Sequence, residues 1–219
     1  NFQQGITNEM MGGMFPDAYL ANQAIISSSY SGTSYLVFDT RNKVFLAPGD
    51  WGMVMPVYDD LEAVSVLGML SSKNDGEGII IMKDVANQMK VAYVNAKNNV
   101  LKSVWPETKG NIVENSVFLT SQKESILYYS KGNEIFRYNF ESDGNFPGSS
   151  DYTVGEEGDI VKGMMLDPQE KNLYVALDAA GNQEYKGCVY CYDVATKSLK
   201  WKERGVAGEI VQMIYKEQK

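Results

Sequence analysis

The sequence predicts an all-β protein, a β-propeller of four-stranded antiparallel blades, and three observations carry that prediction. Four segments share one pattern of strand, polar turn and strand. A second apolar element recurs at a blade-sized spacing of roughly 45 to 53 residues. No stretch between them has the apolar period of an amphipathic helix. The composition agrees: 20 Gly and 14 Tyr against 6 Pro in 219 residues suit short strands joined by tight turns.

The strand–turn–strand segments are "YLVFDTRNKVFLA" (35–47), "VAYVNAKNNVLKSVW" (91–105), "ILYYSKGNEIFRYNF" (126–140) and "CVYCYDVATKSLKW" (188–201). The recurring elements ahead of them are "EAVSVLGML" (62–70), "NSVFLTS" (115–121), "DIVKGMMLD" (159–167) and "EIVQMIYKE" (209–217), with "AYLANQAIIS" (18–27) as a fainter first member. Their small or apolar residues, such as Ala63, Ser65, Gly68 and Gly163, suit a crowded strand beside a central axis. These divide the chain into an arm or loop at 1–16, units at about 17–61, 62–110, 111–157 and 158–205, and a closing strand at 206–217. A terminal strand that completes another blade would remove exposed sheet edges. The expected count is four to five blades, more if further sequence lies upstream. The chain opens at Asn1, which predicts a processed or trimmed piece of something longer.

Charge and composition narrow the function. The net charge is -8 and the basic residues are scattered, which argues against nucleic acid and anionic membrane surfaces as partners. No apolar run has the length of a membrane span. Histidine is absent, which removes Ser-His-Asp and Cys-His catalysis and histidine-ligated metals. Carboxylate pairs, lysine chemistry and oxygen-ligated metals stay open.

The candidate ligand site is the Gly/Pro-punctuated stretch "APGDWGMVMPVYDD" (47–60). Trp51 and Tyr58 offer rings that stack on a sugar face, and Asp59 and Asp60 accept hydroxyl protons. The competing reading makes Trp51 part of an outer strand packed on the next blade. Glu141, Asp143 and Asn145 alternate ahead of a turn, as a calcium loop begins, but the downstream bidentate Glu is lacking. Asp59–Asp60 and Glu156–Glu157 are adjacent carboxylates; neighbours in sequence diverge, so they read as solvated acids. Cys188 and Cys191 form C-x-x-C inside a strand, where residues three apart point to opposite faces. Two buried structural thiols follow from that geometry.

"GCVYCYDVATKSLKWKERG" (187–205) resembles the quinoprotein-like propeller repeat in Gly187, Tyr190, Asp193, Thr196 and Trp201. It departs at Lys197, where that repeat has glycine. The resemblance implies an inter-blade packing role for Trp201; no cofactor is expected, since the other units lack the Asp-turn-Trp set. The blade opening "EGDIVKGMMLDPQEKNLYVAL" and the last strand "GEIVQMIYKEQK" resemble the C-terminal propeller region of PKD-like Bacteroidetes surface lipoproteins. That resemblance implies an upstream lipid anchor and a place on the extracellular face of the outer membrane or in the periplasm. The expected function is a non-catalytic binding or scaffold module for a glycan or surface protein in nutrient capture. The alternatives are a carboxylate-dependent glycan hydrolase or lyase, and a purely structural support.

Overall fold

A computed structural model describes residues 11–17, 23–28, 35–39, 44–45, 63–74, 77–84, 89–95, 100–103, 112–142, 145–181 and 184–216, with side chains at 70–74, 78–79, 81, 89–93 and throughout the last three stretches. The candidate residues Trp51, Tyr58, Asp59, Asp60 and Asp143 lie outside the described residues. Among the described residues there is no helix, and hence none long and apolar enough to cross a membrane. The described residues form four four-stranded sheets, each a meander of consecutive antiparallel strands.

The chain forms two compact units, Asn1–Glu107 and Thr108–Lys219. Unit 1 holds β1 (Met11–Asp17), β2 (Gln23–Ser28), β3 (Tyr35–Asp39) and β4 (Val44–Phe45) in one sheet. Its second sheet is β5 (Ala63–Ser71), β6 (Glu77–Asp84), β7 (Met89–Asn95) and β8 (Val100–Ser103). Two bulges interrupt β5 against β6, between Ala63 and Ser65 and between Val66 and Gly68.

Two expectations are corrected here. Residues 11–16 were expected in an arm, yet they lie in β1, whose partners run from Met11↔Ser28 to Asp17↔Gln23. Backbone pairing rather than side-chain alternation makes this strand, and Pro16 is tolerated because β1 is at a sheet edge. The segment 18–27 was expected as a first strand; its described part, from Gln23 on, is the second.

In unit 2, β9 (Phe118–Thr120), β10 (Ile126–Lys131), β11 (Glu134–Asn139) and β12 (Tyr152–Thr153) form the first sheet. β13 (Ile160–Leu166), β14 (Asn172–Asp178), β15 (Gly187–Asp193) and β16 (Leu199–Ala207) form the second. One core lies between them. Ile126, Tyr128, Ile135, Tyr152 and Val154 of the first meet Val161, Leu173, Val175, Leu177, Cys188, Tyr190 and Tyr192 of the second. Alternation produces this: Leu173, Val175 and Leu177 share one face of β14 and are almost fully buried. Each such side chain contributes about 1.5–3 kcal/mol relative to exposure.

The first sheet is buried on its other face as well. Tyr129 stacks on Phe136, and Phe146, from the loop before β12, stacks on Tyr138 with ring centroids 4.2 Å apart. The second sheet is unlike it there. Trp201, with 45% of its surface exposed, lies tilted against Tyr174, at 6.1 Å between ring centroids. The expected burial of Trp201 between sheets is therefore not found: β16 is an edge strand, and Trp201 is on its outward face. Cys188 and Cys191 are both buried free thiols. Cys188 is in the core, while Cys191 pairs across to Tyr174 and Trp201 on the opposite face, and burial pushes its thiol up.

The expected closing strand is also corrected. Residues 208–216 form no strand. Among the described residues, no backbone group of 209–216 finds a hydrogen-bond partner, and a strand without a partner has no ladder.

Candidate functional site

The two ends of unit 2 are built differently. At one end lie the β9–β10, β13–β14 and β15–β16 turns and the loop leading into β12. Asp193 caps the β15–β16 turn: its Oδ1 accepts from the N–H groups of Ala195 and Thr196 and from Thr196 Oγ1. This is what the Asp193…Thr196 spacing is for. Lys197 follows at φ 58, the left-handed position that explains glycine in the repeat it resembles. Its ammonium pairs with Asp151 of the first sheet.

Glu170, at φ 55 in the β13–β14 turn, does the same in another turn. Its carboxylate accepts from Ser121 Oγ at 2.5 Å and Gln122 N at 2.6 Å. Beneath it, Asp167 accepts from Lys171 N, Asn172 N and Asn172 Nδ2. Burial alone would raise Asp167, but the bonds from Asn172 and Lys171 outweigh it and hold its carboxyl below the usual range.

The opposite end gathers the β10–β11 turn, the β12–β13 loop, the β14–β15 loop and the last residues of β16. Its centre is Asp159, 2% exposed. Asp159 Oδ2 accepts from Glu156 N and from Arg204 Nη1, both at 2.9 Å, and Oδ1 accepts from Ala180 N at 2.8 Å. Arg204 Nη1 also donates to the Tyr190 hydroxyl at 2.8 Å. Burial would raise Asp159; the bonds from Arg204, Glu156 and Ala180 overcome it and keep the carboxylate charged. The same bonds from Asp159 and Tyr190 hold the Arg204 guanidinium more firmly protonated than usual. Gly155, at φ 74, makes room, since a side chain there would run into Asp159 Oδ2.

Around the buried Asp159 and the half-buried Arg204 stand exposed groups. Glu156 Oε1 is 3.9 Å from Arg204 Nη1, and Asn133 Nδ2 donates to the Glu156 carbonyl at 3.0 Å. Arg204 keeps Nε and Nη2 without a partner among the described residues. Tyr185, 56% exposed, lies against Gly205, the residue after Arg204. An exposed ring, a guanidinium edge and a carboxylate on adjoining loops can stack on a ligand and bond its hydroxyls or carboxylates.

Of the sequence candidates, Glu156 and Glu157 are exposed, as solvated acids should be. Glu141 and Asn145 are exposed too, and their loop is organised by Asn139, whose Oδ1 accepts from the N–H groups of Glu141 and Ser142. Among the described residues no three acidic or thiol ligands gather for a metal. Sequence reasoning missed Tyr185 and Arg204. The signal was present for Tyr185, a lone aromatic in the loop "AAGNQEYKG". For Arg204 there was none, because its partner Asp159 is 45 residues away.

No family model matches the chain, and no curated protein sequence does. Solved structures do match. The extracellular domain of a hybrid two-component system from B. thetaiotaomicron is 12% identical with a TM-score of 0.59, over 93% of this chain and 25% of that one. A chain of the mitotic checkpoint complex is 10% identical with a TM-score of 0.53, over 90% of this chain and 51% of that one. A GH74 enzyme from Niastella koreensis is 14% identical with a TM-score of 0.50, over 87% of this chain and 30% of that one. The chain thus spans a quarter to a half of the length of these structures, and at such identities the likeness is one of all-β fold.

Proposed function

We propose that the chain is a non-catalytic β-propeller module that binds a glycan or a surface protein at a bacterial exterior. The observation that carries this reading is the exposed Tyr185, whose backbone approaches Gly205, at the same loop end of the stacked four-stranded sheets as the Arg204–Glu156 pair. Propeller ligands meet the loops at one end of the blades, and this is such an end. Two successive meander sheets of unit 2 sharing one core are what adjacent blades would be. The likeness to an extracellular domain over 93% of the chain supports both the architecture and the setting. The resemblance to PKD-like lipoproteins adds an upstream lipid anchor to the proposal.

Asp159, Asp167 and Asp193 are all lowered by hydrogen bonds from within the chain, which makes them structural carboxylates, whereas a glycosidase general acid needs the opposite shift. Trp51, Tyr58, Asp59 and Asp60, which belong to unit 1, are proposed as a separate ligand-contacting set.

The test is a glycan and peptide binding screen on the full chain, repeated with Tyr185→Ala and with Trp51→Ala. Loss of a stacking ring should weaken a bound ligand about tenfold, the equivalent of ~1.4 kcal/mol. Unchanged binding in both variants removes these rings from the site. Absence of any binding favours a scaffold, and release of cleaved glycan favours the enzyme alternative.

A further inference from the structure

The segment Glu209–Lys216 repeats β13 in sequence and in place. "GDIVKGMM" (158–165) and "GEIVQMIY" (208–215) share Gly, Ile and Val at the same points. β13 begins beside the β10–β11 turn of the first sheet, where Val161 N donates to Gly132 O, and lies against β9 and β10. The later segment begins beside the β14–β15 loop of the second sheet, where Gly208 O accepts from Lys186 N. It then crosses the outward face of that sheet. A methyl group on Gly187 would stand 2.9 Å from Ile210 Cγ1, and one on Gly163 would stand 3.6 Å from Met213 Cε. Gly187 leaves room for the segment, and Gly163 marks where Met213 comes within ordinary contact of the sheet.

The face it crosses is the repeat equivalent of one already covered. Asn139 and Asp193 are matching turn residues, pairing with Ile126 and Asn172. That register makes Tyr174 the counterpart of Tyr128. On the first sheet, Tyr128 is buried under the second sheet; on the second, Tyr174 and Trp201 face outward. The segment also differs from β13 in one respect. β13 is paired along its length with β14, whereas no backbone group of Glu209–Lys216 is paired among the described residues. Val211 and Ile214 stand 92% and 79% exposed, while Val161, the counterpart of Val211, is 1% exposed.

We infer that Glu209–Lys216 is a strand acceptor: the first strand of a further sheet, which pairs with an antiparallel partner strand carrying alternate apolar residues as β14 does. The chemistry of that partner is read from β14, where Leu173, Val175 and Leu177 supply the apolar face. In the unpaired chain Ile210 and Met213 lie toward the sheet while Val211 and Ile214 stand exposed, whereas in paired β13 the bulge between Val161 and Gly163 puts Val161 and Met164 on the core side. Pairing in the register of β13 turns Val211 and Ile214 inward, as Val161 and Met164 are turned. The inference rests on the repeat within unit 2 and not on the Tyr185 site.

The test is amide hydrogen exchange of the full chain with a synthetic peptide of sequence KNLYVALDAA, residues 171–180. Exchange across 209–216 should slow about tenfold when the peptide is at about ten times its Kd. A peptide with Leu173, Val175 and Leu177 replaced by Ser should have no effect, nor should the normal peptide on the Val211→Asp/Ile214→Asp variant. Both substituted side chains are exposed, so that variant folds. Slow exchange that grows with protein concentration in the absence of peptide also supports the inference, with a second copy as the strand donor. The inference is overturned if the peptide changes nothing, if the double variant responds equally, or if these amides are already protected in the dilute chain alone, which would mean another strand of the same chain fills the place.

Discussion

The two ends of unit 2 solve one geometric problem in opposite ways. Both need left-handed backbone to turn the chain. At the end of the β13–β14 and β15–β16 turns, Glu170 and Lys197 take that conformation with full side chains, and each side chain reaches the first sheet. At the other end Gly155 and Gly158 take it; Asp159 Oδ2 fills the space at Gly155, and the Ala180 methyl closes on Gly158. A non-glycine residue at such a position costs roughly 1–2 kcal/mol. It is tolerated where the side chain has an anchoring task, and glycine is required where a neighbouring charge fills the space.

The largest test of this contrast is Asp159→Ala. It strands Arg204 and the N–H groups of Glu156 and Ala180, and should cost about 3–5 kcal/mol in denaturant unfolding. Gly155→Ala should follow at about 1–3 kcal/mol, from the strained backbone and the collision with Asp159. A small effect there would mean the loop is looser than its hydrogen bonds imply.

Acid sharpens the comparison, because each end has a buried carboxylate. Asp159 and Asp167 are both lowered in the folded chain. Their contribution is fully present above the ordinary carboxylate value of about 4 and is lost as pH falls through their lower folded values. Thermal unfolding measured from neutral pH downward should hold steady and then drop below that point. Asp167→Asn should make the drop shallower.

The smallest effects separate the two bridging residues. Glu170→Gly relieves backbone strain but removes two charge-assisted bonds, so it should destabilise by about 1 kcal/mol. Lys197→Gly relieves the same strain and removes a solvent-exposed ion pair worth about 0–1 kcal/mol. It should be neutral or stabilising by up to about 1 kcal/mol. Opposite signs in a paired unfolding measurement would confirm that only Glu170 repays its conformation.

Much of the strand order was legible because it depends on local pattern. β5–β8 and β9–β16 fall where the alternation and polar turns put them. β1 was missed because its Gly- and Met-rich sequence has no alternation, and only pairing with β2 makes it a strand. The segment after Gly208 was read as a strand for the converse reason: its pattern matches β13, but no partner is paired with it among the described residues. The site was less legible. Trp51, Tyr58, Asp59 and Asp60 stood out by residue type, whereas Tyr185 and Arg204 became candidates only because the β14–β15 loop and the end of β16 approach one another.

By itself, the sequence determined the all-β class, the spacing of its strands, the Asp193 turn and the opposite facing of Cys188 and Cys191. Each of these follows from the two-residue strand period or from a hydrogen bond spanning three residues. Only the tertiary structure decided that Asp159 belongs with Arg204, that Glu170 and Lys197 bridge the sheets, and that Trp201 stays exposed. Those outcomes depend on which residues, tens of positions apart, are brought within hydrogen-bond distance when one sheet packs on another, and no local pattern encodes that.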